Sequence, residues 1–239
     1  MYLSILEVDS EKLPGYAIVC GDPRRAKKIA DLLDNVEELA YAREYRTFVG
    51  EYKGVKLAIV SHGVGCPGAA VCFEELIKGG VHTLIRVGTA GSLQAEYPAG
   101  SLVISTATVR TDGLTKQLVP DGFPAAADGE MVQALYQAAA EQGGAIGKGI
   151  TMTVDAFFTG PVDLQYKVHK AAGVIAVEME ISALYVIAAL RGVRAAAIVA
   201  IDGFADSDLA AEYNPHTDVV SKAVEREIKV ALEAMAALA

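Results

Sequence analysis

The chain has 239 residues, is 52% hydrophobic and carries a formal net charge of −9. So acidic a chain is not expected to take nucleic acid or an anionic membrane surface as a general partner, and any anion must be caught by a local basic cluster. No apolar run reaches membrane-span length, and Met1 to Glu7 lacks the cationic segment that opens a signal peptide.

The length suits one α/β domain over residues 1–239 with a full core. Tyr16 to Cys20 reads as a first buried strand. Gly21-Asp22-Pro23-Arg24-Arg25 then opens a helix through about Leu33, with Asp22 as cap and Pro23 in the first turn. Arginines at a helix start oppose its dipole, so Arg24 and Arg25 are either a solvated pair or half of an anion site. Arg43 and Arg46 precede a hairpin, Thr47 to Tyr52 and Val55 to Ser61, turned at Lys53-Gly54.

His62-Gly63-Val64-Gly65-Cys66-Pro67-Gly68 follows that hairpin and opens a helix, Ala69 to Lys78. Its glycines match the dinucleotide fingerprint, but no acid closes the next strand, where Arg86-Val87-Gly88-Thr89 stands instead. A glycine-rich helix start that approaches a small anion or a sugar fits better.

The stretch Thr83 to Ser92 anchors the rest. Leu84, Ile85 and Val87 form a core strand, and Arg86 interrupts it at high cost unless it is partnered. The strand is expected to open into a loop, Gly88-Thr89-Ala90-Gly91-Ser92, whose amides converge on an anion beside the Arg86 fork. The alternative is an Arg snorkelling from a strand end.

Further along, Ser101 to Val109 reads as a strand and Thr111 to Gly129 as a long loop. Glu130 to Glu141 reads as a helix, Ile150 to Val154 as a strand, and Val162 to Ala171 as a short helix. The pair Phe157-Phe158 suits core better than a ligand platform. Glu178 and Glu180 precede an almost wholly apolar helix, Ser182 to Leu190. They either favour its dipole or point one carboxylate into a cleft to accept from sugar hydroxyls. Ala195 to Ile201 is a buried strand ending at Asp202-Gly203, a good catalytic position. Phe204 to Pro215 is polar and acidic enough for a lid, and a long amphipathic helix starts at Thr217 or Asp218. The three cysteines and four histidines show no disulfide or metal spacing, so no metal site is expected and a reducing cytoplasm is.

Taken in order, Gly21-Asp22-Pro23-Arg24-Arg25, Arg43-Glu44-Tyr45, Ser61-His62-Gly63-Val64-Gly65, Arg86 to Ser92, Val177-Glu178-Met179-Glu180 and Ile201-Asp202-Gly203 resemble the hexameric purine nucleoside phosphorylase and uridine phosphorylase family. The likeness spans nearly the whole chain. Cys72-Phe73-Glu74-Glu75-Leu76 and Asp121-Gly122-Phe123-Pro124-Ala125 look like its malaria-parasite branch. The resemblance implies a three-layer α/β/α sandwich around a central mixed, mostly parallel sheet. It implies phosphorolysis of nucleosides, with phosphate as co-substrate and no cofactor. Gly21, Arg25, Arg86 and Thr89 would hold phosphate, with Arg43 reaching in from a neighbouring subunit of a hexamer built as a trimer of dimers. Glu178, Met179 and Glu180 would hold the ribose, Phe157 would stack near base and sugar, and Asp202 would address the purine at N7.

Three departures qualify the likeness. Met1 to Lys12 lacks the family's His for the sugar 5′-hydroxyl. Thr159 to Leu164 lacks the Gln-x-Arg clamp of uridine phosphorylases, which favours purines. No Lys or Arg lies between Asp202 and Lys222 to assist the acid.

Overall fold

The structure, a computed structural model, describes residues 1–205 and 215–239. A short N-terminal hairpin, β1 (Tyr2–Leu3) and β2 (Val8–Asp9), stands apart from the main sheet. The main sheet holds β3 (Tyr16–Cys20), β4 (Asp34–Ala42), β5 (Tyr45–Tyr52), β6 (Val55–Ser61), β7 (Thr83–Ser92) and β8 (Leu102–Arg110). It is completed by β9 (Ala125–Ala126), β10 (Ile146–Thr153), β11 (Ala176–Glu178) and β12 (Arg194–Phe204). Parallel pairings run through β12, β7, β3 and β6 at its centre, while β5 and β4 extend it antiparallel. The sheet is therefore mixed.

Helices cover both faces, because strand side chains alternate. On β12, Ala195, Ala197 and Val199 face α2 (Cys66–Lys78) and α6 (Ile181–Arg191), joining Phe73, Leu76, Leu184 and Ile187. Ala196, Ile198 and Ala200 face α1 (Pro23–Ala30), α4 (Gly129–Gln142) and the C-terminal helix (Asp218–Leu238, here α7). That second layer adds Ile29, Leu135, Ile228 and Leu232. Burying each such large aliphatic side chain contributes about 1.5–3 kcal/mol.

Several boundaries differ from the sequence reading. Lys53 (φ 50°) and Gly54 (φ 82°) make the expected hairpin turn, both in the left-handed region that a two-residue turn needs. Strand β4 was not expected, since its Asp, Asn and Glu are poor strand formers; it survives as a mostly exposed edge paired to β5. The supposed loop at 111–129 contains α3 (Gly113–Leu118), capped by Asp112, and β9. The short helix expected from Val162 is confined to α5 (Tyr166–Ala171). The expected lid, Phe204 to Pro215, lies largely outside the described residues.

Two further differences shape the site. Gly88 to Ser92 is not a loop: β7 continues through it, paired to β12 on one side and to β11 near its end. Because β11 also pairs with β10, the strands β7, β12, β8, β10 and β11 close a ring. Strand β12 does not stop at Ile201 either. It runs to Phe204 across a bulge, Ile201 opposing Ala90 and Gly203 opposing Gly91, so that Asp202 is the extra residue.

Candidate active site

A cavity of about 770 Å³ opens where the ends of β3, β6, β7, β11 and β12 converge. Among the residues that line it are Gly21, Arg25, Arg86, Thr89, Phe157, Glu178, Met179, Glu180 and Asp202. Arg43 is not among them. It is exposed on the β4–β5 turn with φ 56°, while its neighbour Glu44 does line the cavity.

Arg86 is the organising charge. Only 3% of it is exposed, so it does not snorkel. One nitrogen, Nη2, pairs with Glu180 Oε2 and lies 3.2 Å from Glu178 Oε2. The antiparallel turn of β11 onto β7 explains this meeting: it carries residues 178–180 back alongside the strand that holds Arg86. Leaving one of these buried charges alone would cost about 3–5 kcal/mol. Gly88 is tied to the same geometry, since a Cβ there would sit 1.9 Å from Arg86 Nη1. A glycine in mid-strand here marks a close approach.

The two glutamates do different things. Glu178 has a wholly buried side chain. It accepts from the amides of Glu180 (2.7 Å) and Ile181 (2.9 Å) and from Thr153 Oγ1 (2.5 Å), which caps α6 from within the sheet. Burial pushes it up to about 7, against the pull of Arg86. Glu180 instead lines the cavity at the start of α6, with Oε1 held by the amide of Gly65 (2.6 Å). Burial opposes its charge, but Arg86, His62 and that amide together hold it below the ordinary carboxylate range. The Gly63–Gly68 turn is thus spent on Glu180. Gly65 (φ 95°) places the amide, and a Cβ at Gly63 would strike Glu44 at 2.7 Å.

Cationic side chains from the start of α1 also line the cavity. Asp22 caps α1 through the amide of Arg24 (2.8 Å), as the sequence suggested. Arg24 is a solvated side chain, 87% exposed and paired to Asp22, while Arg25 is 15% exposed and turned inward. Thr89 and Gly21 line the cavity too. So do Val154, Ala156, Phe157 and Tyr166. Phe157 meets Phe158 edge-on at 5.1 Å, but Phe158 is 76% exposed, so the expectation that the pair is core is overturned. Asp202, 7% exposed, reaches the cavity because the bulge re-aims its side chain.

Sequence reasoning missed several participants. Thr153 holds Glu178, and Tyr166 forms part of the wall. Beneath Arg25 lies Glu227 of α7, fully buried, its Oε1 3.5 Å from Arg25 Nη1. A signal for Glu227 was present, because it stands seven residues after Val220 on the apolar stripe of its helix.

Comparison with known proteins points to one family. The family model described as the phosphorylase superfamily matches residues 15–237. A purine nucleoside phosphorylase of Plasmodium falciparum is 35% identical, covering 98% of this chain and 96% of its own. A uridine phosphorylase of Thermococcus kodakarensis is 38% identical, covering 94% of this chain and 82% of its own. Among solved structures, a Toxoplasma gondii purine nucleoside phosphorylase in complex with immucillin-H superposes with a TM-score of 0.93 at 31% identity, covering 98% of this chain and 94% of its own.

Proposed function

The chain belongs to the phosphorylase superfamily, and from that premise we propose that it cleaves purine nucleosides with phosphate, giving free base and ribose 1-phosphate. One observation carries the reading: a single cavity is lined by Arg25, Arg86 and Thr89, by Glu180 and by Asp202. Cleaving an N-glycosidic bond leaves positive charge on the sugar and negative charge on the base. Phosphate held by Arg25, Arg86 and Thr89 serves as nucleophile and as counter-charge to the cationic sugar. Glu180, fixed by Arg86 and Gly65, still has lone pairs to accept from ribose hydroxyls and so to orient C1′. Met179 and Phe157 pack against sugar and base. Asp202 donates a proton or hydrogen bond to the leaving purine at N7. Glu178 keeps Glu180 in place, its carboxylate being used up by Thr153, the α6 amides and Arg86.

The preference for 6-oxopurines is supported by the acid at the Asp202 bulge and by the lack of a uracil clamp at residues 159–164. In the assembled enzyme, a hexamer made of dimers, the exposed Arg43 completes a neighbour's phosphate site. Three free, buried thiols suit a reducing cytoplasm.

A panel of purine and pyrimidine nucleosides, assayed with and without phosphate, tests the proposal. Inosine cleavage falls to background without phosphate. Undiminished hydrolysis in its absence indicates a nucleosidase instead, and a preference for uridine over every purine overturns the base assignment.

A further inference from the structure

Glu227 has no part in the chemistry just described, yet it lies directly under the phosphate end of the cavity. It sits midway along α7 with none of its surface exposed. Its Oε1 is 3.5 Å from Arg25 Nη1, longer than a closed charge-assisted bond, and among the described residues neither carboxylate oxygen completes a hydrogen bond. The amides of Gly88 on β7 and Ala200 on β12 face it and favour its ionised form. Arg25 on α1, Arg86 on β7 and Cys20 on β3 are the titratable groups that feel its charge. Arg86 likewise leaves Nε and Nη1 without hydrogen bonds.

Other buried carboxylates nearby are held differently. Glu178 accepts three hydrogen bonds, and so does Asp112, from the Thr115 amide, Thr115 Oγ1 and Ser182 Oγ. A buried carboxylate beside one guanidinium and in the field of a second, with its oxygens unsatisfied, is costly as a structural element alone. Charge balance shows what it can do. Two cations of this chain, Arg25 and Arg86, face Glu178, Glu180 and Glu227, and a neighbour's Arg43 only brings the cations level with the carboxylates. A phosphate dianion brought into the same low-dielectric site forces one carboxylate to give up its charge. Glu180 is held ionised by its partners, and Glu178 is occupied capping α6. Glu227, without hydrogen bonds to lose, is the group left to take the proton.

We infer that Glu227 is a positioning residue and proton acceptor linked to phosphate binding: ionised, it holds Arg25 back against α7, and as phosphate binds it takes one proton from solvent and yields the guanidinium groups to the dianion. The inference rests on the phosphorolytic reading of this site. Its consequence is a competition. Once Glu227 is ionised in the free protein, it opposes phosphate for the same two cations. Burial pushes its carboxyl up to about 8. Cys20 is pushed up to about 12 and His62 down to about 4, so neither changes charge just above pH 8. Glu178, at about 7, has largely completed its change by then.

Two measurements on the full-length protein test this. In the first, the KM for phosphate is followed from about pH 7 to pH 10 for wild type and Glu227→Gln. Wild-type KM rises about tenfold per pH unit above Glu227's titration, with the effect in KM rather than kcat, while the Gln variant stays level. In the second, inorganic phosphate is titrated calorimetrically into wild-type protein at about pH 9 in two buffers of different ionisation enthalpy, and binding takes up about one proton. Phosphate that binds without proton uptake, or a folded Gln variant whose KM tracks wild type, overturns the role of Glu227. If the Gln variant does not fold, wild-type calorimetry decides alone. Absence of phosphate binding by wild type overturns both this inference and the phosphorolytic reading.

Discussion

Asp202 shows how much one residue's position matters. Its place as the extra residue of a bulge turns a strand-end acid toward the cavity instead of into the sheet. Asp202→Asn keeps size and some hydrogen bonding but supplies no proton. Turnover of inosine is expected to fall by about 10²- to 10⁴-fold. A purine with fixed positive charge at N7, such as 7-methylguanosine, leaves without that proton and loses much less. Steady-state rates on both substrates check this, and equal losses would mean that Asp202 only orients its surroundings. Glu227 gives a second prediction, on stability. Its folded carboxyl is raised to about 8 from an ordinary value of 4.5, so the folded state binds more protons than the unfolded one between those values. Stability therefore declines as pH rises across that window. Glu227→Gln removes this decline. The variant should unfold at nearly the wild-type temperature near pH 5, but be more stable than wild type by on the order of 3 kcal/mol near pH 9. Thermal melts at both pH values decide; an equal difference at both would show that Glu227 does not titrate in this way.

At the scale of elements, β7 is a strand that does a loop's work. Its glycines at 88 and 91 let Arg86 fold back along the strand and let Ala205 pass close by, at 2.8 Å from a Cβ built on Gly91. Gly88→Ala would drive a methyl group into Arg86 Nη1 and dislodge the guanidinium from Glu178 and Glu180. The variant is expected to lose about 10²-fold in kcat/KM for phosphate and about 2–4 kcal/mol of stability. Phosphate kinetics with a denaturant melt test this; wild-type values for both would show that Arg86 has room to move. The start of α6 is a second such element. Its cap comes from Glu178 on the preceding strand, so that the sheet, through Thr153, sets where Glu180 stands.

For the whole molecule, the question is whether one chain holds a complete site. Arg43 lies on an exposed turn outside the cavity wall, whereas Glu180 lines the cavity. If Arg43 serves a neighbour, mixing Arg43→Ala with Glu180→Ala after subunit exchange produces some hybrid sites with both groups intact. Partial recovery of activity, over two inactive parents, is the expected result. No recovery despite exchange shown by mass spectrometry would count against sharing.

Much of the architecture was legible in sequence because its causes are local. Short apolar runs marked β3 and β12, alternation beside a tight turn marked β6, and the apolar run after Glu180 marked α6. Lys53-Gly54 marked a tight turn, and Asp22-Pro23 marked a helix start. Arg86 and Glu180 stood out because charges in apolar segments need partners. Who those partners are was not local information. Glu180 and Arg86 are 94 positions apart and meet because β11 closes the ring onto β7. The continuation of β7 through Gly88 to Ser92 depended on β12 and β11 lying alongside to take its hydrogen bonds. The edge strand β4, rich in poor strand formers, needed β5 as a template. Phe158 looked like core, but it is 76% exposed. Glu227 stood on the apolar stripe of its helix, but only the packing of α7 beneath Arg25 showed which charge it meets. Sequence alone determined most of the core strands and helices and which residue types carry the chemistry, because dihedral preference and hydrophobic period act over a few residues. Tertiary structure decided which charges face one another and how far each is buried, because those depend on chain closure over long separations.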